Sequence, residues 1–451
     1  MWRRTIVFFY RRDAFAVLSC LLLLLFRYDA VAASTEAQAA ASGSTRERAL
    51  VTSARPKIEV KTRARTATAA LYTINDIGLP PLATYPVSSP VGFNDSGQIF
   101  GVALRNAKSD RASYIYDTDC LVWTGSRFID LEASLVVQVC TPFAIGNADP
   151  NTGAYNVVGG FTDIHHAVRG YTDAFYATVA ASGSFATVPY YDHSPAALYG
   201  VNAAGTAVGS SYSGGIDYAP IFMTAQPETL TFLQPSCATT SKACLAPIEL
   251  LKTQTNGEPL ASCAFGGCVI NAGGTVVGFD PATTNYAVSI VGTSASPVEL
   301  PLPIALGNFG YVVALNDADQ LLYFTIGSTS ASFVYDLNAG TTTPIPPIAG
   351  TSCAHYYPIS INNLGKVLGF SSFCKQRPFY FTWDPINGTQ DLDLELPANA
   401  YTIKPLGIND NGQILVSLGT STGATHWGTL DPIAASAKTR NARSKEPLHA
   451  R

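Results

Sequence analysis

The chain is 451 residues long, 47% apolar and 13% charged with 37 Gly and 28 Pro, which allows a sizeable core with many turns and excludes a chain disordered throughout. Its formal net charge of −4 conceals a division: residues 70–432 carry 11 basic against 26 acidic side chains, residues 34–69 seven against three, and residues 433–451 five against one. An acidic body between two basic arms excludes nucleic acid as the partner of the body.

From the N-terminus, Arg3, Arg4, Arg11 and Arg12 precede a 13-residue apolar run from Ala14 to Phe26, and Ala30-Val31-Ala32 has the small side chains of a cleavage site. Residues 1–32 are therefore expected to be a secretory signal peptide, because a span needs about 20 apolar residues. The mature chain is then secreted or periplasmic and has no membrane span. Residues 33–69 and 433–451, rich in Ala, Ser, Thr and Arg, read as a basic disordered linker and tail.

Between these arms one small turn is spelled repeatedly, as apolar-Asn-x-x-Gly-x-apolar-x-Gly. Copies begin at Phe93-Asn94, Val201-Asn202, Ile270-Asn271 and Ile361-Asn362. Ile408-Asn409 keeps Gly412 but has Val416 for the second glycine, and Leu315-Asn316 has Asp319 for the first. A seventh copy lies in AIGNADPNTGAYNVVGG, where Asn147 and Gly159 flank a lengthened turn. Successive asparagines stand 53, 55, 69, 45, 46 and 47 residues apart, a length that suits one four-stranded antiparallel sheet with its loops. In a hairpin loop built on a type I turn, Asn opens the turn and the residue after it sits at positive φ. Glycine takes that position without a Cβ clash and Asp tolerates it. The Asn and Gly of the pattern are thus assigned to turn chemistry.

Each turn leads into a short strand, a loop, an aromatic strand and a final strand, as in SFVYDLNAGTTTPIPP and PFYFTWDPINGTQDLDLEL, so a unit has four strands, a to d. The last unit has room for only three, ending at HWGTLDP, while LYTINDIGLP at residues 71–80 resembles a fourth strand with nothing before it. The expected fold is all-β: a seven-bladed β-propeller of four-stranded antiparallel blades over residues 70–432, its ring closed by the N-terminal strand pairing into the last blade.

The unit INxxGxVxG, followed by an aromatic strand containing Asp173-Ala174-Phe175 or Arg377-Pro378-Phe379, resembles the HAF family of extracellular repeats over about residues 70–432. That family takes its name from a His-Ala-Phe triplet in the aromatic strand. The resemblance implies secretion and a β-propeller-like repeat, and it brings no activity or catalytic residues with it.

In such a ring the a-to-b and c-to-d turns share one face, and the b-to-c and d-to-a loops share the other. The eight cysteines beyond the signal peptide fall in or beside the second set, with Cys120 paired to Cys140, Cys353 to Cys374, Cys237 to Cys244 and Cys263 to Cys268. The last four allow three connectivities. Each bridge is expected to contribute roughly 2–4 kcal/mol. The same face gathers Asp163, His165 and His166, then Tyr190, Tyr191, Asp192 and His193, then His355, Tyr356 and Tyr357. These are the candidate ligand face, for a glycan, peptide or protein; the alternative is that they fill loops and wedge between blades.

Catalytic patterns are missing: there is no Asp-box, H-E-x-x-H, kelch or repeated Trp-Asp signature, and the one G-x-S-x-G string, Gly419 to Gly423, makes no strand-to-helix nucleophile elbow. Six His with only His165 and His166 adjacent make a poor transition-metal site, and Asn147 to Gly153 alternates oxygen side chains as calcium loops do but lacks a distant Glu. No cofactor and no metal is expected. The function reads as a monomeric binding or scaffolding module for an extracellular ligand. The alternative is a propeller hydrolase or lyase on extracellular carbohydrate, marked by carboxylates converging within about 5–10 Å in a central pocket.

Overall fold

A computed structural model describes stretches of the chain between residues 71 and 433; residues 1–70, 434–451 and a set of connecting segments, the longest 233–268, lie outside the described residues. Every described element lies within Ala67–Arg451. Apart from one short helix, α1 (Leu392–Glu395), those elements are β-strands. None of the described helices is long and apolar enough to cross a membrane. The expected signal peptide lies outside the described residues.

The strands form antiparallel sheets of four, in chain order. The first eight, β2 (Ser88–Phe93), β3 (Ile99–Arg105), β4 (Asp117–Trp123), β5 (Phe128–Asp130), β6 (Val139–Ile145), β7 (Tyr155–Thr162), β8 (Asp173–Val179) and β9 (Phe185–Tyr190), are two such fours joined by one parallel bridge, Thr118 to Val139. Further four-stranded sheets run from β10 (Ala196–Val201) to β13 (Leu230–Phe232), from β14 (Val269–Ile270) to β17 (Val298–Glu299), from β18 (Phe309–Leu315) to β21 (Thr341–Ile345), and from β22 (Cys353–Ile361) to β25 (Gly388–Asp391). The last sheet takes β26 (Thr402–Ile408), β27 (Ile414–Gly419) and β28 (Thr425–Pro432) from the C-terminal side and β1 (Tyr72–Gly78) from the other end of the chain. Tyr72 pairs with Pro432 and Ile74 with Leu430, so β1 lies where a fourth strand belongs.

The first strands of successive sheets pack on one another, β2 on β6, β6 on β10, β10 on β14 and so on to β26, which packs on β2. Two local devices make that approach feasible. Six of these strands carry a β-bulge three residues before the turn, opening at Pro90, Pro142, Leu198, Val312, Pro358 and Pro405. A bulge is a place where proline's missing N–H costs no ladder bond. The residue after the bulge is small, being Gly92, Ala144, Gly200, Ala314, Ser360 or Gly407, and the next sheet's strand presses there: a Cβ on Gly200 would stand 3.1 Å from Ile270, and one on Gly407 3.5 Å from Phe93.

The second glycine of the repeat has a different duty from the first. Gly101, Gly159 and Gly369 pair with Pro90, Pro142 and Pro358, opposite the bulges. A Cβ there would meet backbone or an aromatic face: Ser89 O at 2.4 Å and Trp427 at 2.6 Å for Gly101, and the Phe381 ring at 2.1 Å for Gly369. Its assignment to turn chemistry is corrected accordingly; it makes room for packing.

Two disulfides lie among the described residues, and both join strands rather than closing loops. Cys120 in β4 and Cys140 in β6 tie the first two sheets together, and the hydroxyl of Thr118 donates to Cys140 O at 2.9 Å beside the bridge. Cys353 and Cys374 face each other across one sheet, in β22 and β23 (Val367–Cys374). Cys237, Cys244, Cys263 and Cys268 lie outside the described residues.

Candidate functional site

The seven first turns meet around one cavity. The Asn that opens each of six turns is buried, and its two polar atoms work in opposite directions. Inward along the turn, Oδ1 accepts the N–H four residues on: from Gln98 to Asn94 at 3.1 Å, from Lys366 to Asn362 at 2.9 Å, from Gln413 to Asn409 at 3.0 Å. The Asn carbonyl accepts the N–H of the first glycine, which sits at positive φ, for example 80° at Gly97 and 76° at Gly365. Asp319 takes that place with φ 58°.

Outward, Nδ2 donates to the carbonyl of the matching residue one sheet further on. Asn94 reaches Gly146 at 3.0 Å, Asn202 reaches Asn271 at 3.1 Å, Asn271 reaches Asn316 at 3.3 Å, Asn316 reaches Asn362 at 2.9 Å, and Asn362 reaches Asn409 at 3.0 Å. Asn409 donates to Asn94 at 3.3 Å. In the second sheet the matching residue is Gly146, not Asn147 as the sequence suggests. The Gly146 N–H bonds Asn156 O as Asn94 N–H bonds Gln98 O, and a Cβ at 146 would lie 2.9 Å from Asn202 O.

Asn147 belongs to a second tier, one residue on, nearer the mouth of the cavity. Here the side-chain oxygen of one turn accepts the backbone N–H of the turn before it: Asp95 N–H to Asn147 at 3.0 Å, Ala272 to Asp317 at 2.7 Å, Asp317 to Asn363 at 2.6 Å, Asn363 to Asp410 at 2.6 Å, and Asp410 to Asp95 at 2.7 Å. Ala203 and Ala272 fill the tier in the third and fourth sheets, so polar side chains occupy an arc over the fifth, sixth, seventh, first and second. The cavity these tiers enclose has a volume of about 180 Å³ and is lined by all seven turns. Burial pushes the Asp410 carboxyl above the ordinary aspartate value, and the charge of Asp95 beside it adds to the rise.

The seam between β1 and β28 has its own polar cluster. Asp76 in β1 accepts from Tyr401 Oη at 2.7 Å and pairs with His426 Nδ1 in β28 at 3.0 Å. Partial burial works to raise the Asp76 carboxyl, but hydrogen bonds from Tyr401, His426 and the Gly78 amide outweigh it and hold the group below its ordinary value. A depressed carboxyl contributes stability above its unfolded value, and that contribution is lost as pH falls through the folded one. Asp76→Asn is therefore expected to lower stability at pH 7 by roughly 0.5–1 kcal/mol after solvent screening. The difference should shrink as pH falls below the unfolded aspartate value of about 3.9 and on through the lower folded one. Thermal melts over a descending pH series check both statements.

Of the candidate ligand residues on the opposite loops, Asp163, His165, His166, Tyr191, Asp192 and His193 lie outside the described residues, and Tyr190 is described as the backbone end of β9. His355, Tyr356 and Tyr357 stand in β22 rather than in a loop. Tyr356 is a core side chain, 6% exposed and 5.5 Å from the Phe381 ring. Tyr357 meets Phe324 of the preceding sheet edge-on at 5.5 Å and stacks on His355 at 5.7 Å. The segment Asn147 to Gly153 is a plain turn: Asp149 accepts the N–H of Asn151 at 2.8 Å and of Thr152 at 2.9 Å. Among the described residues no group of three or more His, Cys, Asp or Glu is placed to hold a metal ion. The axial tier escaped the sequence reading, although Asp or Asn directly after the repeat Asn, at 95, 317, 363 and 410, was the available signal.

Four-stranded antiparallel sheets in succession, packed through their first strands around an axial cavity, define a β-propeller module. No family model and no curated protein sequence matches the chain. Similar solved structures include the β-propeller domain of the Trilobed protease from Pyrococcus furiosus, at 9% identity over 81% of this chain and 95% of that one, TM-score 0.45. YCF48 bound to D1 peptide is similar at 10% identity over 82% and 97%, TM-score 0.47. Uncomplexed Pyrococcus horikoshii acylaminoacyl peptidase is similar at 10% identity and TM-score 0.43 over 77% of this chain, which spans about half, 52%, of that one. Likenesses of this degree say nothing of activity, ligand or partner.

Proposed function

We propose that the chain is a secreted or periplasmic propeller of seven blades, built on a HAF-type repeat with β1 closing the ring, and that it is a binding module. The ligand is a peptide or protein segment that places a basic side chain in the axial mouth. Ring closure is supported by the packing of β26 on β2 and by the bond from Asn409 to Asn94. Disulfides are consistent with an oxidising compartment.

One observation carries the binding reading: oxygen acceptors on five successive blades converge on a concave site of about 180 Å³. Acceptors gathered in this way favour a donor-rich cation over a neutral glycan. Fluorescence anisotropy with peptides containing Lys and Arg is expected to report binding that Asp317→Asn together with Asp410→Asn weakens at least tenfold. Both replacements keep Oδ1 for the neighbouring backbone amide but remove the second carboxylate oxygen, which accepts from Asn363 Nδ2, so thermal melts of the double variant accompany the binding measurement. Peptide binding indifferent to this pair, or retention of a neutral glycan equally by both chains, overturns the reading.

The second reading is a hydrolase or lyase on carbohydrate, favoured by Asp95 and Asp410 standing together in the mouth with the Asp410 carboxyl raised. Against it, each carboxylate already accepts a backbone amide of the adjoining turn. A glycosidic pair needs about 5–9.5 Å between carboxyls with the scissile bond in the gap.

A further inference from the structure

The two described disulfides close loops of nearly equal length, with sequence separations of 20 and 21 residues. Equal loops restrict the unfolded chain alike, so any difference between the bridges arises in the folded one. Cys120 and Cys140, 0% and 3% exposed, belong to one core cluster with Phe100 and Val122 of the first sheet and Phe161 and Phe175 of the second. A reductant reaches them only when those sheets part. Cys353 and Cys374 are partly exposed and form the last pair of the β22–β23 ladder, beyond His355 and Ser372, at the end away from the Asn362 turn. Strand ends open at a small fraction of the free energy of global unfolding. Behind that end the ladder continues from Tyr356 and Ser371 to Ile361 and Val367, and Tyr356 packs with Phe379 and Phe381, so the sheet is held without the bridge.

The two sulfurs of the exposed bridge are not equivalent. Cys374 Sγ stands 3.5 Å from Ser371 Oγ, and the next residue, Lys375, is exposed. A sulfur released there meets a hydroxyl able to donate to a thiolate or accept from a thiol. A cation in the adjoining residue, within a Debye length, favours the thiolate. Cys374 is therefore the better leaving group.

We infer that Cys353–Cys374 is a reversible modification site, opened in the folded protein by an external dithiol while Cys120–Cys140 stays closed. One thiolate of the dithiol bonds to Cys353 Sγ, the bond between the two cysteines breaks, and its electron pair leaves on Cys374 Sγ. The second thiol of the dithiol, its proton lost to solvent, then attacks its own partner sulfur in the mixed disulfide and displaces Cys353 as a thiolate. Two electrons have passed from the dithiol, which ends as a disulfide, and both cysteines take up protons from solvent as thiols. Opening loosens the strand ends at Cys353 and Cys374, on the face opposite the Asn turns, and leaves the remainder of the sixth sheet in place.

The test exposes the full native chain to graded dithiothreitol, blocks new thiols with N-ethylmaleimide, and reads each cysteine by peptide mass while near-ultraviolet circular dichroism follows the fold. Cys353 and Cys374 are expected to be labelled at least about tenfold sooner than Cys120 and Cys140, with the dichroism unchanged. Labelling of both pairs together, or labelling that waits for loss of the dichroism, overturns the inference. Glutathione, a monothiol, should leave its trapped adduct on Cys353; an adduct chiefly on Cys374 overturns the direction of attack. Lys375→Glu, a surface change, should slow opening about threefold, since it repels the incoming and the departing thiolate, and an unchanged rate contradicts the part given to Lys375. Hydrogen exchange after reduction should quicken at Cys353 and His355 and stay as it was at Asn362 to Lys366. Exchange that spreads to that turn would overturn the confinement of the opening to the strand ends.

Discussion

Gly101→Ala is expected to destabilise the body by about 3 kcal/mol, whereas Gly97→Ala, four residues earlier in the same repeat, should lose only about 1–2 kcal/mol. The two glycines are indistinguishable as repeat letters. Gly97 sits at φ 80° with nothing within 4 Å of an added Cβ, so its replacement incurs backbone strain alone. At Gly101 the added methyl would stand 2.4 Å from Ser89 O and 2.6 Å from the indole of Trp427. Neither neighbour can give way. The first is backbone of β2 beside its bulge, and Trp427 is fully buried, donates from Nε1 to Ser88 Oγ at 3.1 Å and is held edge-on by Phe128 at 5.1 Å. Because Trp427 comes from β28 and Gly101 from β3, the clash falls between the last sheet and the first. Urea or thermal unfolding of the two variants checks the ranking, and a Gly101→Ala protein no less stable than Gly97→Ala would contradict the packing described here.

Asn362→Asp is the second substitution with a large expected effect, about 2–3 kcal/mol at pH 7. As turn chemistry the change is nearly silent, since Asp opens such turns as well as Asn and its oxygen can still accept the N–H groups of Leu364 and Lys366, at 3.1 and 2.9 Å. The substitution removes the Nδ2 donor to Asn409 O at 3.0 Å, and in its place a carboxylate would face a buried carbonyl. A buried acceptor left without its donor carries the full desolvation penalty, and the added charge increases it. This fixes the sign of the pH dependence. Burial against a carbonyl raises the new carboxyl, which is therefore better tolerated when protonated, so the deficit should narrow as pH falls towards and below the unfolded aspartate value of about 3.9. Unfolding at pH 7 and pH 4 measures it. A deficit absent at pH 7 would mean that the asparagine serves its own turn and nothing further.

These two positions also show how much was legible in the sequence. Asn at the head of a turn and Gly at its positive-φ place are local requirements, set by backbone geometry within four residues, and the repeat spelled them; even the Asp319 stand-in fits with φ 58°. The pairing of β1 with β28 was legible for a different reason, since a lone strand at residues 71–80 and a last unit one strand short complete one sheet. The duty of Asn Nδ2 lies between sheets, at residues 45 or more apart, and that of the second glycine lies across strands, against partners 12 or more residues away, so nothing local marks either. A signal existed in the extended repeat of Pro, apolar, small, apolar and Asn seen at PVGFN, PISIN and PLGIN, because a proline and a small residue at fixed distances before a turn serve no purpose in a simple hairpin. Extending the pattern upstream would also have aligned Gly146, rather than Asn147, with the other asparagines.

The candidate site was less legible. Polar aromatics in variable loops drew attention to the face opposite the Asn turns, yet Tyr356 turned out to be core, and Tyr357 a wedge against Phe324 of the adjoining sheet. Periodicity predicts which residues point inward only when the strand boundaries are right, and Cys353 to Ile361 read as a loop and then a strand is one strand from end to end. Asp95, Asp317 and Asp410 each follow a repeat asparagine directly, in separate copies of the turn. They become a site only because their turns converge, and convergence is a property of the assembled sheets.

The central claim is that the sheets circle one axis and that the strand at residues 72–78 completes the last of them. Hydrogen exchange measured by mass spectrometry on the peptide His426 to Leu430, in the full chain and in a chain lacking residues 1–79, tests it most directly. The account expects strong protection in the full chain and, without β1, faster exchange across that peptide together with a lowered melting temperature. Identical exchange in the two chains would mean that β28 is an outer edge already, and that no ring is closed there.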